Sequence, residues 1–117
     1  MIVDDSTSVR QLVSMALKSQ NYDVIEACDG MDALSKLTGS KINLIISDIN
    51  MPRMDGITFV KELKKNPSYK FTPVIMLTTE TQEGKKQEAQ AAGAKAWIVK
   101  PFKPEQMLSA VAKLILP

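Results

Sequence analysis

Four apolar runs in this chain each stop on side chains that can do chemistry. Met1-Ile2-Val3 stops on Asp4-Asp5, and Ile42-Asn43-Leu44-Ile45-Ile46-Ser47 stops on Asp48. Val74-Ile75-Met76-Leu77 stops on Thr78, and Ala96-Trp97-Ile98-Val99 on Lys100-Pro101. A further run, Tyr22 to Ala27, follows the first helical segment. Short, nearly continuous apolar runs rich in β-branched residues are expected of strands buried on both faces. If the strands lie parallel, all their carboxyl ends fall on one edge. Three carboxylates, a hydroxyl and an ammonium then meet there. Three ionised carboxylates share one site only with a cation among them.

Between the runs the periodicity turns helical. Val9, Leu12, Val13, Ala16 and Leu17 share one face after Asp5, with Ser6, Thr7 or Ser8 available as a cap and Asn21 as a stop. Asp29-Gly30 turns the chain into a short helix bearing Ala33, Leu34 and Leu37, which stops near Gly39. Asn50-Met51-Pro52-Arg53-Met54-Asp55-Gly56 is punctuated too densely for an element interior and predicts a loop. Ile57, Val60 and Leu63 face inward on the next helix, which ends before Asn66-Pro67. Pro73 opens the fourth strand.

The segment from Gln82 to Ala92 offers only alanines for packing and is expected to be the most weakly held helix, with Gly93 ending it. Pro104 opens a last helix with Met107, Leu108, Val111, Leu114 and Ile115 inward. Five strand-then-helix units with short connections predict an α/β fold, a parallel sheet with helices on both faces. A length of 117 residues predicts a single domain spanning 1–117 with one core. The first strand is short for a central one, so the natural chain is expected to begin a few residues earlier.

The functional reading is an oxygen-ligand site for a magnesium-like ion, which takes one or two protein carboxylates plus phosphate oxygens. Asp48 ends the most apolar strand and is the best positioned carboxylate. A carboxylate can attack phosphorus to form an acyl phosphate. Thr78, Lys100 and the metal would offset charge on the phosphoryl oxygens. The competing explanation is that acids at strand ends merely cap helices. It is adequate for Asp5 alone but not for four strands delivering compatible groups to one edge. The Lys100-Pro101 bond is a candidate for the cis form.

Other features are ordinary. Net charge is +2 with no His, and aromatics make up 5% of the chain. Direct nucleic-acid binding is therefore not expected. The single Cys28 allows no internal disulfide and is expected to pack as a small core or strand-end residue. Lys61, Lys64 and Lys65 are expected to form a solvated helix face, and the methionines mostly to pack in the core or loops. Trp97 reads as a core strand residue on the same face as Val99. No apolar run has the length of a membrane span and no secretion signal is present, so a cytoplasmic location without membrane insertion is expected. Gly39, Gly84 and Gly93 make no phosphate-gripping loop, which leaves a nucleotide-binding module the weakest option.

Val3-Asp4-Asp5-Ser6, Ser47 to Gly56, Leu77-Thr78-Thr79-Glu80 and Val99-Lys100-Pro101-Phe102 together resemble the receiver domain of bacterial two-component response regulators, nearest its chemotaxis branch. The resemblance covers almost the whole chain. It implies a flavodoxin-like three-layer sandwich with strand order 2-1-3-4-5 and five helices. It implies Asp48 as phosphoacceptor for a histidine kinase. It implies Mg2+ held by Asp4, Asp5, Asp48 and the Asn50 backbone carbonyl, with Asp4 acting partly through water.

By the same resemblance Thr78 is the switch hydroxyl, Lys100 its ion-pair partner, and Trp97 the aromatic that changes rotamer. Asn50 and Glu80 would set the phosphoryl lifetime, here a short one. The family signals through the face of the fourth helix, fifth strand and fifth helix. Expected partners are the kinase and a downstream target protein such as a flagellar motor switch, with the chain a monomer. The protein would be a switch rather than an enzyme, though one that assists its own phosphorylation and dephosphorylation. Rival readings are a phosphorelay intermediate, the receiver of a longer regulator, and an aspartyl phosphatase of the haloacid dehalogenase type. The last usually needs a second Asp two residues after the nucleophile, where this chain has Asn50.

Overall fold

The computed structural model describes residues 1–79 and 83–116. Strand β1 (Ile2–Val3) leads into α1 (Thr7–Lys18), β2 (Glu26–Ala27) into α2 (Gly30–Ser35), and β3 (Ile45–Asp48) into α3 (Gly56–Lys64). Strand β4 (Val74–Thr78) precedes α4 (Glu83–Ala92), and β5 (Ala96–Val99) precedes α5 (Pro104–Leu114). The strands are all parallel, in the order β2-β1-β3-β4-β5. The expected flavodoxin-like architecture and strand order are therefore both found.

Alternation along the strands splits the apolar residues between two layers. Ile2, Ile46, Ile75, Leu77 and Ile98 pack with Val13 and Leu17 of α1 and with Met107 and Val111 of α5. Val3, Ile45 and Met76 pack with Ala33 of α2, Phe59, Val60 and Leu63 of α3, and Ala89 of α4. Trp97 lies at the edge of this second layer, partly buried rather than in its centre.

Helix starts follow the capping chemistry. Ser6 Oγ accepts from Val9 N, Asp29 Oδ1 from Asp32 N, and Asp55 Oδ1 from Thr58 N. Pro104 occupies the first turn of α5, where its missing N–H costs nothing. Gly93 has φ +121 and ends α4, its neighbour Ala94 donating back to the Ala89 carbonyl.

Several expectations are corrected. Strand β2 holds only Glu26–Ala27, not Tyr22 to Ala27, because β1 supplies just two residues to pair with it. Strand β3 begins at Ile45 rather than Ile42 and reaches Asp48, matched by Val74 to Leu77 on β4. Helix α2 ends at Ser35, short of Leu37. Cys28 sits just past β2 but is exposed, since its backbone is turned to bond Asp32 Oδ2. Lys64 is half-buried, its ammonium donating to the Thr72 carbonyl at 2.5 Å. Burial and the neighbouring Lys95 lower its pKa. The methionines do mostly pack, Met76 and Met107 in the core and Met1, Met51 and Met54 against it, and Met15 and Met31 are the exposed exceptions. No helix among the described residues is long and apolar enough to cross a membrane.

Candidate phosphoryl and metal site

The strand ends converge as the sequence predicts. Asp4, Asp5 and Asp48 each offer a carboxylate oxygen, all within 4.8 Å of one another. Asp4 is fully buried, Asp48 is 7% exposed, and Asp5 faces solvent. Helix capping does not account for them, because the caps of α1, α2 and α3 are Ser6, Asp29 and Asp55. Asp4 makes one local bond, accepting from Ser6 N at 2.8 Å. Asp48 accepts from Ile49 N at 2.8 Å.

Lys100 supplies the balancing charge. Its Nζ lies 3.1 Å from Asp4 Oδ2 and 3.3 Å from Asp48 Oδ1. It is carried there from β5, whose end is tied to β4 by the bond from Lys100 N to the Thr78 carbonyl. The Lys100–Pro101 peptide bond is cis. Thr78 ends β4 opposite Val99 and is buried at the same edge. Burial, then the charge of Asp4, pushes the Asp48 pKa above 3.8, while Lys100 and the Ile49 N–H pull it back. One ammonium faces three carboxylates. An all-oxygen donor set with surplus negative charge fits a hard divalent ion such as Mg2+.

Asn50 stands two residues beyond Asp48, exposed, at the start of the β3–α3 loop. Glu80 lies outside the described residues. Trp97 pairs in register with Met76, two residues before the end of β4. It carries the Lys86 ammonium 3.8 Å from its ring centroid. That contact ties α4 to β5.

Three supporting features were missed in the sequence. Gly56 presses on β3, and a Cβ there would lie 2.0 Å from the Asp48 carbonyl oxygen. The dense Pro and Gly punctuation predicted the loop but not this approach. Arg10 Nη1 donates to the Asp4 carbonyl at 2.6 Å, and its Nε lies 3.4 Å from Glu26. Arg53 makes two bonds to Asp29, 24 residues away. No local pattern connects residues so far apart.

The receiver-domain model of response regulators matches residues 1–112. Protein PilG of Pseudomonas aeruginosa is 39% identical over 111 residues, covering 95% of this chain and 82% of PilG. The transcriptional regulatory protein ResD of Bacillus subtilis is 35% identical over 98% of this chain, which spans only 47% of ResD. The structure of the chemotaxis protein CheY4 of Vibrio cholerae superposes with a TM-score of 0.92 at 49% identity, covering 97% of this chain and 95% of that one. With the acids, the hydroxyl and the lysine gathered at one sheet edge, the chain belongs to the receiver-domain family of response regulators, whose members act as phosphorylation-operated signalling switches.

Proposed function

We propose that residues 1–117 act as one receiver domain that takes a phosphoryl group from a histidine kinase onto Asp48. The observation that carries this is the grouping of Asp4, Asp5 and Asp48 within 4.8 Å, with Lys100 on two of them. An Asp48 carboxylate oxygen attacks phosphorus of the kinase phosphohistidine. The O–P bond forms as the P–N bond breaks, and the departing imidazole nitrogen takes up a proton. Asp4, Asp5, Asp48 and the Asn50 carbonyl would hold Mg2+. The ion would neutralise charge on the phosphoryl oxygens.

The new group brings about two negative charges to a buried edge. Thr78 and Lys100 bind that charge in one arrangement of the β4 and β5 ends. Reversing a 1:99 population takes about 5.5 kcal/mol of differential interaction. Charge-assisted hydrogen bonds at a partly dry site supply energy of that order. Trp97 and α4 then pass the rearrangement to the face used by the target. Similarity to CheY4 favours a chemotaxis target such as a flagellar motor switch, met by a cytoplasmic monomer. Polar residues at Asn50 and Glu80 favour a short-lived phosphoryl state. A phospho-form stable for many hours after donor removal would refute that lifetime.

A second reading has specific support. The chain spans about half of ResD, which fits the receiver of a longer regulator. A phosphorelay carrier uses the same chemistry with another partner. A phosphatase of the haloacid dehalogenase type is disfavoured, because Asn50 cannot exchange a proton. The test is incubation with Mg2+ and a small phosphodonor, followed by mass measurement. Wild type should gain one phosphoryl group and Asp48→Asn none, with its fold intact. Equal labelling of Asp48→Asn would sink the assignment, and rapid turnover of a soluble phosphate ester would favour a hydrolase.

A further inference from the structure

The loop that follows the proposed phosphoacceptor is fastened to the start of α2, the neighbouring helix in the same layer. Arg53 Nε donates to Asp29 Oδ2 at 2.7 Å, and Arg53 Nη2 to Asp29 Oδ1 at 3.0 Å. Asp29 is 3% exposed, whereas the Arg53 side chain is 61% exposed. The guanidinium thus lies over a buried carboxylate like a cover. The fork-on-fork geometry fixes direction as well as charge. Asp29 is already the cap of α2, through Asp32 N at 2.8 Å, so the arginine is anchored to a placed group.

A second contact docks the same loop on the same helix. Met54 packs so closely on Gly30, the first residue of α2, that a Cβ on Gly30 would meet Met54 Cγ at 2.8 Å. Arg53 itself has φ 65, a left-handed conformation that a non-glycine residue keeps only where its surroundings require it. At the other end, Gly56 N donates to the Ile49 carbonyl at 2.7 Å. Asn50 to Pro52 therefore run between the Asp48–Ile49 end of β3 and a fixed ion pair.

We propose that Arg53, by closing this double bond on Asp29, positions the β3–α3 loop so that the Asn50 backbone carbonyl is presented to the divalent-cation site. Arg53 is a positioning residue and touches neither metal nor phosphoryl group. The proposal rests on the receiver reading, in which Asn50 supplies a metal-binding carbonyl. Mg2+ demands near-ideal octahedral geometry, whereas Ca2+ tolerates irregular donors. A loosened carbonyl should therefore weaken Mg2+ more than Ca2+.

The test is calorimetric titration of the whole chain with Mg2+ and with Ca2+, beside thermal melting in chelator. Arg53→Met should lower Mg2+ affinity on the order of tenfold, as loss of groups that orient metal ligands does. The Mg2+ to Ca2+ preference should fall. The metal-free melting temperature should fall as well, because Asp29 loses the partner over its buried carboxylate, so affinities are compared at temperatures where each variant is folded. Arg53→Lys, which keeps charge without the fork, should be intermediate. Asp29→Asn keeps a capping oxygen and should match Arg53→Met, and the double variant should be no worse than either single one.

Wild-type Mg2+ affinity and ion preference in Arg53→Met would overturn the proposal, as would additive losses in the double variant. If metal-free Arg53→Met fails to fold, Arg53→Lys and Asp29→Asn decide by the same two criteria. A wild-type chain that neither binds Mg2+ nor accepts phosphoryl would defeat the receiver reading itself. Intact wild-type binding with unaffected variants would defeat only the role of Arg53.

Discussion

Helices α3 and α4 are neighbours on one face of the sheet, held in opposite ways. Helix α3 buries Ile57, Phe59, Val60 and Leu63, and its first residue, Gly56, abuts the Asp48 carbonyl. Among the described residues of α4 only Ala89 is buried. Both follow strands that deliver site residues, so position in the fold does not explain the difference. The helix after Asp48, the proposed phosphoacceptor, is part of the frame that holds that residue still. Among the described residues, the helix after Thr78 is held by one alanine stripe and the Lys86–Trp97 contact. A switch needs both, a fixed acceptor and an element that small free energies can shift.

The largest expected effect separates the two helices by stability. Phe59→Ala removes a fully buried ring and should cost about 3–5 kcal/mol in denaturant unfolding. Gln87→Ala, on the exposed side of α4, should stay within about 0.5 kcal/mol. Similar losses at both sites would erase the distinction between frame and moving part.

Gly56→Ala tests whether α3 positions the acceptor. The added Cβ would overlap the Asp48 carbonyl oxygen, so β3 or α3 must shift. Overpacking of this kind typically costs about 1–3 kcal/mol. Phosphoryl uptake from a small donor should fall even at temperatures where the variant is folded. Normal uptake with normal stability would mean that the approach of α3 is incidental.

What the sequence made legible follows from this contrast. Element order, the parallel sheet and the meeting of Asp4, Asp5, Asp48, Thr78 and Lys100 could be read because strand ends are marked by abrupt changes from apolar to polar. The weak packing of α4 was visible in its alanines and polar residues. The length of β2 was not, because a strand extends only as far as its neighbour pairs, and Val24 and Ile25 look no different from paired residues. Lys64 looked like its solvated neighbours until the fold placed its stem against Gly93 and its ammonium on the Thr72 carbonyl. Arg53 and Asp29 find each other only through tertiary structure.

Acid titration should act on the frame before α4. The two hydrogen bonds from Arg53, then the bond from Asp32 N, hold the Asp29 pKa below 3.8. A carboxyl with a depressed folded pKa contributes stability that is complete above its unfolded value. That contribution is lost as pH falls through the folded value. Wild type should therefore lose this contribution progressively below about pH 4. Melting temperatures of Arg53→Met should show a shallower fall over the same range, because less of the shift is left to lose. Parallel acid profiles for the two proteins would mean that the pair does not stabilise the frame.

The smallest effect concerns the tie between α4 and β5. The Lys86 ammonium sits 3.8 Å from the centre of the Trp97 ring, and both side chains are only half-buried. A cation over an indole at such a site is worth about 0.5–1 kcal/mol. On a helix with one buried alanine, that is a large share of what holds it down. Lys86→Met should raise amide exchange in α4 roughly two- to fivefold, the same energy expressed as an opening equilibrium. Exchange in α3 should not change. Trp97 fluorescence should report the loss of the nearby charge, and Lys86→Arg should restore both signals because a guanidinium also stacks on aromatic faces. If α4 exchanges at the wild-type rate without the ammonium, the alanine stripe alone holds it. If α3 loosens equally, the two helices open as one unit, and the division between fixed frame and mobile element is wrong for this molecule.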